Sequence, residues 1–155
     1  SARNVDINFA SLDTLENMKD YTTAIKDKAR TDYGRPISTM TYGLVVVRDT
    51  EKEAKEVFQQ VVEMGDYGAA ENVINIALSG SAGSFEHARE FQERFVAGWG
   101  GYPLVGTPEQ VVEGLGQLNE AGMDGMIMGL VDYNEELKYF GEKVMPLMVQ
   151  AGLRQ

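Results

Sequence analysis

The segment from Gly98 to Leu130, GWGGYPLVGTPEQVVEGLGQLNEAGMDGMIMGL, limits the possible folds more than any other stretch, because it spells loop, helix, tight turn and strand in one pass. Thr107 has the side chain of an N-cap, Pro108 suits the first helical position where a missing N–H costs nothing, and Gln110 is placed to close a capping box. A helix is therefore predicted from Pro108. Val111, Val112, Leu115 and Leu118 mark its apolar face, and Gly122 stands where a left-handed residue ends a helix. The short apolar run from Met126 to Leu130 then reads as a buried strand. A helix that hands directly to a buried strand is half of an α/β repeat.

Other copies of that unit follow from the same rules. Val5 to Ala10 alternates as a strand with one apolar face, and Asp13 as cap with Glu16 opens a helix whose buried stripe is Leu15, Met18, Thr22, Ile25 and Ala29, ending at Gly34. Ile37 to Val47 is β-rich and almost continuously apolar in its second half, as in a parallel strand buried on both faces. Thr50 and Glu53 form a second capping box, before a stripe of Ala54, Val57, Phe58, Val61 and Val62. Between Asp66 and Ala97 the pattern is helical without a strand: one stripe of Ala70, Val73, Ile74 and Leu78, then GSAGS, then Phe85, Ala88, Phe91 and Phe95. This reads as a helical insertion over about 66–97. Asp132 with Glu135 caps a last helix carrying Leu137, Phe140, Val144 and Leu147, which Pro146 should kink or end.

Roughly three strand-then-helix units with no hairpin signal mean parallel strands joined by right-handed crossovers. Three such strands, with helices on one side, leave the opposite face and both edges needing partners. Val45, Val47, Met126 and Ile127 are read as the inner positions, and they are too apolar for water. A closed (β/α)8 barrel resolves both needs, so the fold expected is α/β, a partial TIM (β/α)8 barrel holding about the last three parallel strands.

The totals narrow the function. With 155 residues the chain suits one domain, and 14 basic against 24 acidic side chains, net charge −10, repel nucleic acid and anionic membranes. No cysteine is present, which removes disulfides, thiolate zinc sites and a cysteine nucleophile, and makes the cytoplasm the expected location. No apolar run approaches the roughly 18 residues of a membrane helix. The chain opens without Met and almost at once on a strand-like VDINFA, which points to processing or to a piece of something longer.

At VVVRDTEKEA and from Tyr102 to Arg154 the sequence resembles the C-terminal part of reduced-flavin-dependent monooxygenases related to bacterial luciferase. SARNVDINFA, LVGTPEQV and FGEKVMPLM are similar to the branch holding pyrimidine-ring-opening and dimethyl-sulfone oxygenases. The resemblance covers nearly all of residues 1–155. It implies reduced FMN supplied by a separate flavin reductase, O2 as co-substrate, and a small-molecule substrate. It places the strongest flavin contacts, including a phosphate-loop serine, upstream of Ser1, so the chain alone is expected to be inactive. Alkanesulfonate-oxidising relatives carry basic side chains roughly where Tyr42 and Leu44 stand, a departure that argues against a sulfonate substrate and makes Tyr42 a candidate substrate contact.

In a barrel the functional groups lie at the C-terminal ends of strands: here Ala10 and Ser11, Arg48 and Asp49, and Leu130 to Tyr133. Arg48 can meet a flavin phosphate; the ordinary alternative is a salt bridge to Asp49 or Glu53. The loop GWGGYPLVG is the richest candidate for cofactor contact, since Gly100 and Gly101 let backbone approach a ligand while Trp99 and Tyr102 offer flat surfaces. Its alternative is a flexible loop around one packed Trp. His87 reads as solvent-facing, Glu135 and Glu136 as solubilising, and the clustered Met123, Met126 and Met128 as core filler or a dry wall around an oxidant. The rival function is a non-catalytic half-barrel that self-associates, and a homo-oligomer is expected in either case.

Overall fold

The computed structural model describes residues 1–10, 14–78 and 88–154. Four strands, β1 (Ile7–Phe9), β2 (Ser38–Val47), β3 (Tyr102–Gly106) and β4 (Gly125–Gly129), are joined by α1 (Leu15–Tyr33), α2 (Glu51–Glu63), α3 (Tyr67–Leu78), α4 (Ala88–Gly98) and α5 (Pro108–Glu120). After β4, α6 (Tyr133–Tyr139) continues through a π-helical turn (Phe140–Val144) into α7 (Met145–Gln150).

Among the described residues every strand pairing is parallel and every one involves β2. β1 pairs with Ser38 to Met40, β4 with Met40 to Leu44, and β3 with Gly43 to Val47. Because Met40 is shared by β1 and β4, and Gly43 and Leu44 by β3 and β4, β4 occupies one edge of β2 while β1 and β3 follow each other along the other. The backbone bonds agree: the Ala10 N–H donates to Met40 and the Arg48 N–H to Gly106, whereas the Asp124 N–H donates to the odd-numbered Thr39. So β1, β2 and β4 are consecutive staves of a part-barrel, and β3 is a short added strand beside the upper half of β2.

β3 corrects the sequence reading, which left YPLVG in a loop. A run of five residues with a proline and a terminal glycine carries no alternation of its own, and β2 supplies its register.

The two faces of the sheet differ. Thr39, Thr41, Val45 and Val47 of β2, with Met126 and Met128 of β4 in register beside them, face α1, α5 and the π turn. There Val45, Val111, Leu118, Phe140 and Val144 form the main core. Burying such side chains stabilises the fold by roughly 1.5–3 kcal/mol each. On the opposite face Leu44 and Val46 lie under α2 and Ala97 of α4, while Ile7, Phe9 and Ile127 are 57%, 49% and 52% exposed. Of the four positions read as inner ones, only Ile127 lies on this open face; Val45, Val47 and Met126 turn toward the helices, because the pleat alternates and Tyr42, not Thr41, is level with Ile127.

The capping expectations hold for α2 and α5, where both capping boxes close. α1 begins one residue later than expected: Thr14, not Asp13, accepts the Asn17 N–H, and Asp13 lies outside the described residues. Gly34 and Gly122 take positive φ at 62° and 86° as anticipated. Pro146 does not end the last helix. It sits at the start of α7, directly after the π turn, where a wider turn tolerates a ring nitrogen that cannot donate. Leu137 is 55% exposed rather than buried, because the buried side chains at this point are Glu136 of α6 and Phe140 of the π turn. Among the described residues no helix is long and apolar enough to cross a membrane.

Candidate functional site

Where α4 ends, the chain reverses through two successive left-handed residues, Trp99 at φ 55° and Gly100 at φ 73°. Backbone bonds from Trp99 to Phe95, Gly100 to Arg94 and Gly101 to Gly98 close this turn. The Arg94 side chain reinforces it, donating to the carbonyls of Gly100 at 3.2 Å and Gly101 at 3.3 Å and lying 5.8 Å over the Tyr102 ring. A non-glycine residue at positive φ is strained, and here it presents a large aromatic: the Trp99 side chain is mostly solvent-exposed and packs on one side against Phe95.

This turn roofs the upper part of the otherwise open sheet face. A Cβ on Gly98 would come within 3.1 Å of Leu44, and one on Gly101 within 2.6 Å of the Tyr42 ring. On the ring's far side a Cβ on Gly129 would collide with the Tyr42 hydroxyl. Tyr42 is thus clamped between two glycines that only a bare backbone permits. It lies level with Ile127 and just past the end of β1, so it borders the uncovered patch of Ile7, Phe9 and Ile127. Burial, and next the negative phenolate that Tyr133 can form, push the Tyr42 phenol above its usual range, so it stays a neutral donor. Tyr133, in the first turn of α6, donates to the Met128 carbonyl at 3.3 Å.

The structure therefore brings together Tyr42, Gly101 and the Trp99 turn. Tyr102 belongs to the same segment, yet its side chain follows Gly43 and Val45 toward the main core, where it is partly buried.

Arg48 has a partner the sequence did not indicate. Its guanidinium donates to Glu136 at 2.5 Å and to its own Val47 carbonyl, and makes no salt bridge with Asp49 or Glu53. Glu136 is 5% exposed, not solubilising, and its other oxygen accepts the N–H groups of Val131 at 2.8 Å and Asp132 at 3.1 Å. Asp132 caps α6 as expected, accepting from Asn134, but Glu136 rather than Glu135 reaches back to the cap. Asp49 accepts the Tyr139 hydroxyl at 2.6 Å. These bonds fasten the C-terminal end of β2 to the β4–α6 turn. Arg48 and Glu136 stand at the ends of adjacent repeats, and that barrel logic was the available signal for their pairing. Ser11 and His87 lie outside the described residues.

Six of the eight methionines, Met40, Met123, Met126, Met128, Met145 and Met148, line a cavity of about 330 Å³ beside β4. It opens mainly among α5, α7 and the helix-facing side of β4, with Met40 reaching into it from β2, and these residues act there as adaptable packing.

An open arc of parallel strands with helices on one face, and with polar groups gathered at the C-terminal strand ends, defines a partial (β/α)8 barrel. The luciferase-like monooxygenase family matches residues 1–125, and the chain belongs to that family. It is 28% identical to an FMNH2-dependent dimethylsulfone monooxygenase of Pseudomonas fluorescens, over 96% of this chain and 42% of that protein. It is 31% identical to a sulfoquinovose monooxygenase of Agrobacterium fabrum, over 91% and 40%. In structure it resembles DmoA from Hyphomicrobium sulfonivorans at TM-score 0.80 and 19% identity, over 99% of this chain and 39% of that one. It also resembles a long-chain alkane monooxygenase, LadA, at 0.77 and 24%, over 99% and 38%. The chain spans about two fifths of the length of these relatives.

Proposed function

We propose that this chain is the C-terminal arc of a reduced-FMN-dependent monooxygenase that oxidises a small organic substrate with O2. A separate reductase supplies the flavin, and the chain alone does not turn over. The carrying observation is the Tyr42 clamp, which sets the Trp99 turn at the border of an uncovered apolar strip, just past the end of β1 and level with the middle of β4. A flavin needs a flat apolar bed, close backbone and donors for its phosphate. The first two fit the Ile7, Phe9 and Ile127 strip and the Gly100–Gly101 backbone, with Trp99 as the exposed flat surface and Tyr42 nearest the substrate. The phosphate fits less well: Arg48 is held by Glu136, so in this reading it positions the strand end. When bound, reduced FMN supplies the electrons that activate O2; the residues here orient it and exclude water.

The test measures FMNH2-dependent substrate oxidation by the 155-residue chain and by a version extended upstream. Turnover confined to the extended protein supports the proposal, and turnover by the short chain at the same rate contradicts it. The exposure of Ile7, Phe9 and Ile127 also favours a second reading, a half-barrel that self-associates through this face. Light scattering separates the two: a symmetric oligomer indifferent to FMN supports the second.

A further inference from the structure

We infer that Arg94 is the positioning residue of the Trp99 turn: its guanidinium holds the turn in the left-handed conformation and so presents the indole as a fixed flat surface. The inference rests on the flavin reading only for what the indole meets, since the hold itself involves residues of this chain alone.

The turn needs a hold. Glycine stands at positions 98, 100 and 101, yet the left-handed position 99 carries tryptophan, at φ 55°. Glycine there would adopt the same φ without strain, whereas a bulky side chain raises the free energy of the folded turn. Burial does not offset that strain, because Trp99 is 72% exposed. Its ring meets Phe95 on one side, at a centroid distance of 5.4 Å and a tilt of 54°.

Arg94, near the end of α4, supplies the hold. Its carbonyl accepts the Gly100 N–H at 3.1 Å, and its side chain returns to the same residue, donating through Nη2 to the Gly100 carbonyl at 3.2 Å. Gly100 is therefore gripped through both its N–H and its carbonyl. The Arg94 Nε donates to the next carbonyl, that of Gly101, at 3.3 Å. The same guanidinium lies 5.8 Å from the centroid of the Tyr102 ring, and the Tyr102 backbone is in register with Gly43 of β2. One side chain thus ties helix end, turn and sheet together. Its two donors sit on different nitrogens of a rigid plane, a geometry that the single ammonium of lysine does not reproduce.

A turn whose only task was to join α4 to β3 would be served better by glycine at 99. An exposed indole, kept in a strained place by a cation bonded to the turn on both sides of Gly100, is suited to meeting a planar partner.

Trp99 is the sole tryptophan of the 155-residue chain, so its fluorescence reports this turn directly. Time-resolved anisotropy of the wild-type chain should decay with the tumbling of the whole molecule. In Arg94→Lys and Arg94→Gln the component on the nanosecond scale or faster should grow about threefold in amplitude. The amide resonances of Val45, Val46 and Val47 should stay in place and report an intact sheet. Unchanged indole motion in both variants would overturn the inference. So would a faster indole accompanied in both by displaced β2 amides, which would make Arg94 a general stabiliser.

Reduced FMN, added anaerobically, is read in parallel as quenching of the same fluorescence. Its apparent affinity should fall about fivefold in the two variants, the effect of having to order one side chain on binding. Quenching of equal affinity in wild type and variants would overturn the positioning role. A slow indole in the wild type and a faster one in the variants, with no quenching in any of them, would leave the hold standing and remove the flavin reading of this turn.

Discussion

Tyr139, the last residue of α6, reaches across the rim of the sheet to donate a 2.6 Å hydrogen bond to Asp49, just beyond the end of β2. Burial, aided by that bond and by the Asp49 charge, pushes the phenol up to about 12. A proton held more tightly in the folded than the unfolded chain stabilises the fold below the unfolded value, near 10, and that stabilisation is lost as pH rises toward the folded one. Spectrophotometric titration should show one tyrosine ionising late, and Tyr139→Phe should remove it while costing about 1 kcal/mol at neutral pH by urea unfolding.

Glu136 is the more consequential member of this rim. Replacing it with Gln leaves Arg48 without its countercharge, and a broken buried pair typically costs about 3 kcal/mol. Urea unfolding of Glu136→Gln should show that loss, and the amide resonances of Val131 and Asp132 should move with it, since both N–H groups donate to this carboxylate. A loss below about 0.5 kcal/mol would mean that Arg48 and Glu136 interact like an exposed pair.

The opposite rim is fastened by Asp124, which accepts from Lys26 at 3.0 Å and from the Thr39 N–H at 2.7 Å. Burial opposes its charge, but the hydrogen bonds from Lys26 and Thr39 outweigh that and hold the carboxyl below the ordinary range. A depressed carboxyl contributes stability above its unfolded value, near 4, which is lost as pH falls through the folded one. The Asp124 side chain is 43% exposed, so solvent limits the effect to about 1 kcal/mol or less. Asp124→Asn should flatten the acid limb of a stability-against-pH curve by that amount.

Gly122 is constrained twice over. Its φ of 86° suits no side chain, and a Cβ there would collide with the Thr22 hydroxyl, which donates to the Ala121 carbonyl at 2.7 Å. Gly122→Ala should therefore destabilise by about 2 kcal/mol or more, read as a lowered thermal midpoint. Gly116, by contrast, has open space around it, and Gly116→Ala should stabilise α5 by about 0.5–1 kcal/mol.

Local chemistry was readable where it acts over three or four residues. Thr50 with Glu53 and Thr107 with Gln110 form their boxes because each pair satisfies backbone donors within a single turn. What escaped reading depends on residues far apart in the chain. β3 exists because β2 offers it an edge, Glu136 is buried because Arg48 arrives from another repeat, and Val45 faces the helices because register fixes the pleat. Tyr42 and the Trp99 turn were named separately, and only Gly101 packing on the Tyr42 ring makes them neighbours. The family resemblance supplied what neither spacing nor period contains, the expectation of flavin.

The placement of β2 also governs how the chain reaches its native state. Every ladder in the sheet is built on this one segment, and its partners come from β1 before it and from β3 and β4 long after it, with Met40 meeting Gly125. Such distant meetings impose a large loop-closure penalty before any reward, so assembly should be slow, with its rate-limiting barrier crossed only once β4 has docked. Truncations ahead of Gly125 should then leave a collapsed chain whose β2 amides exchange rapidly with solvent.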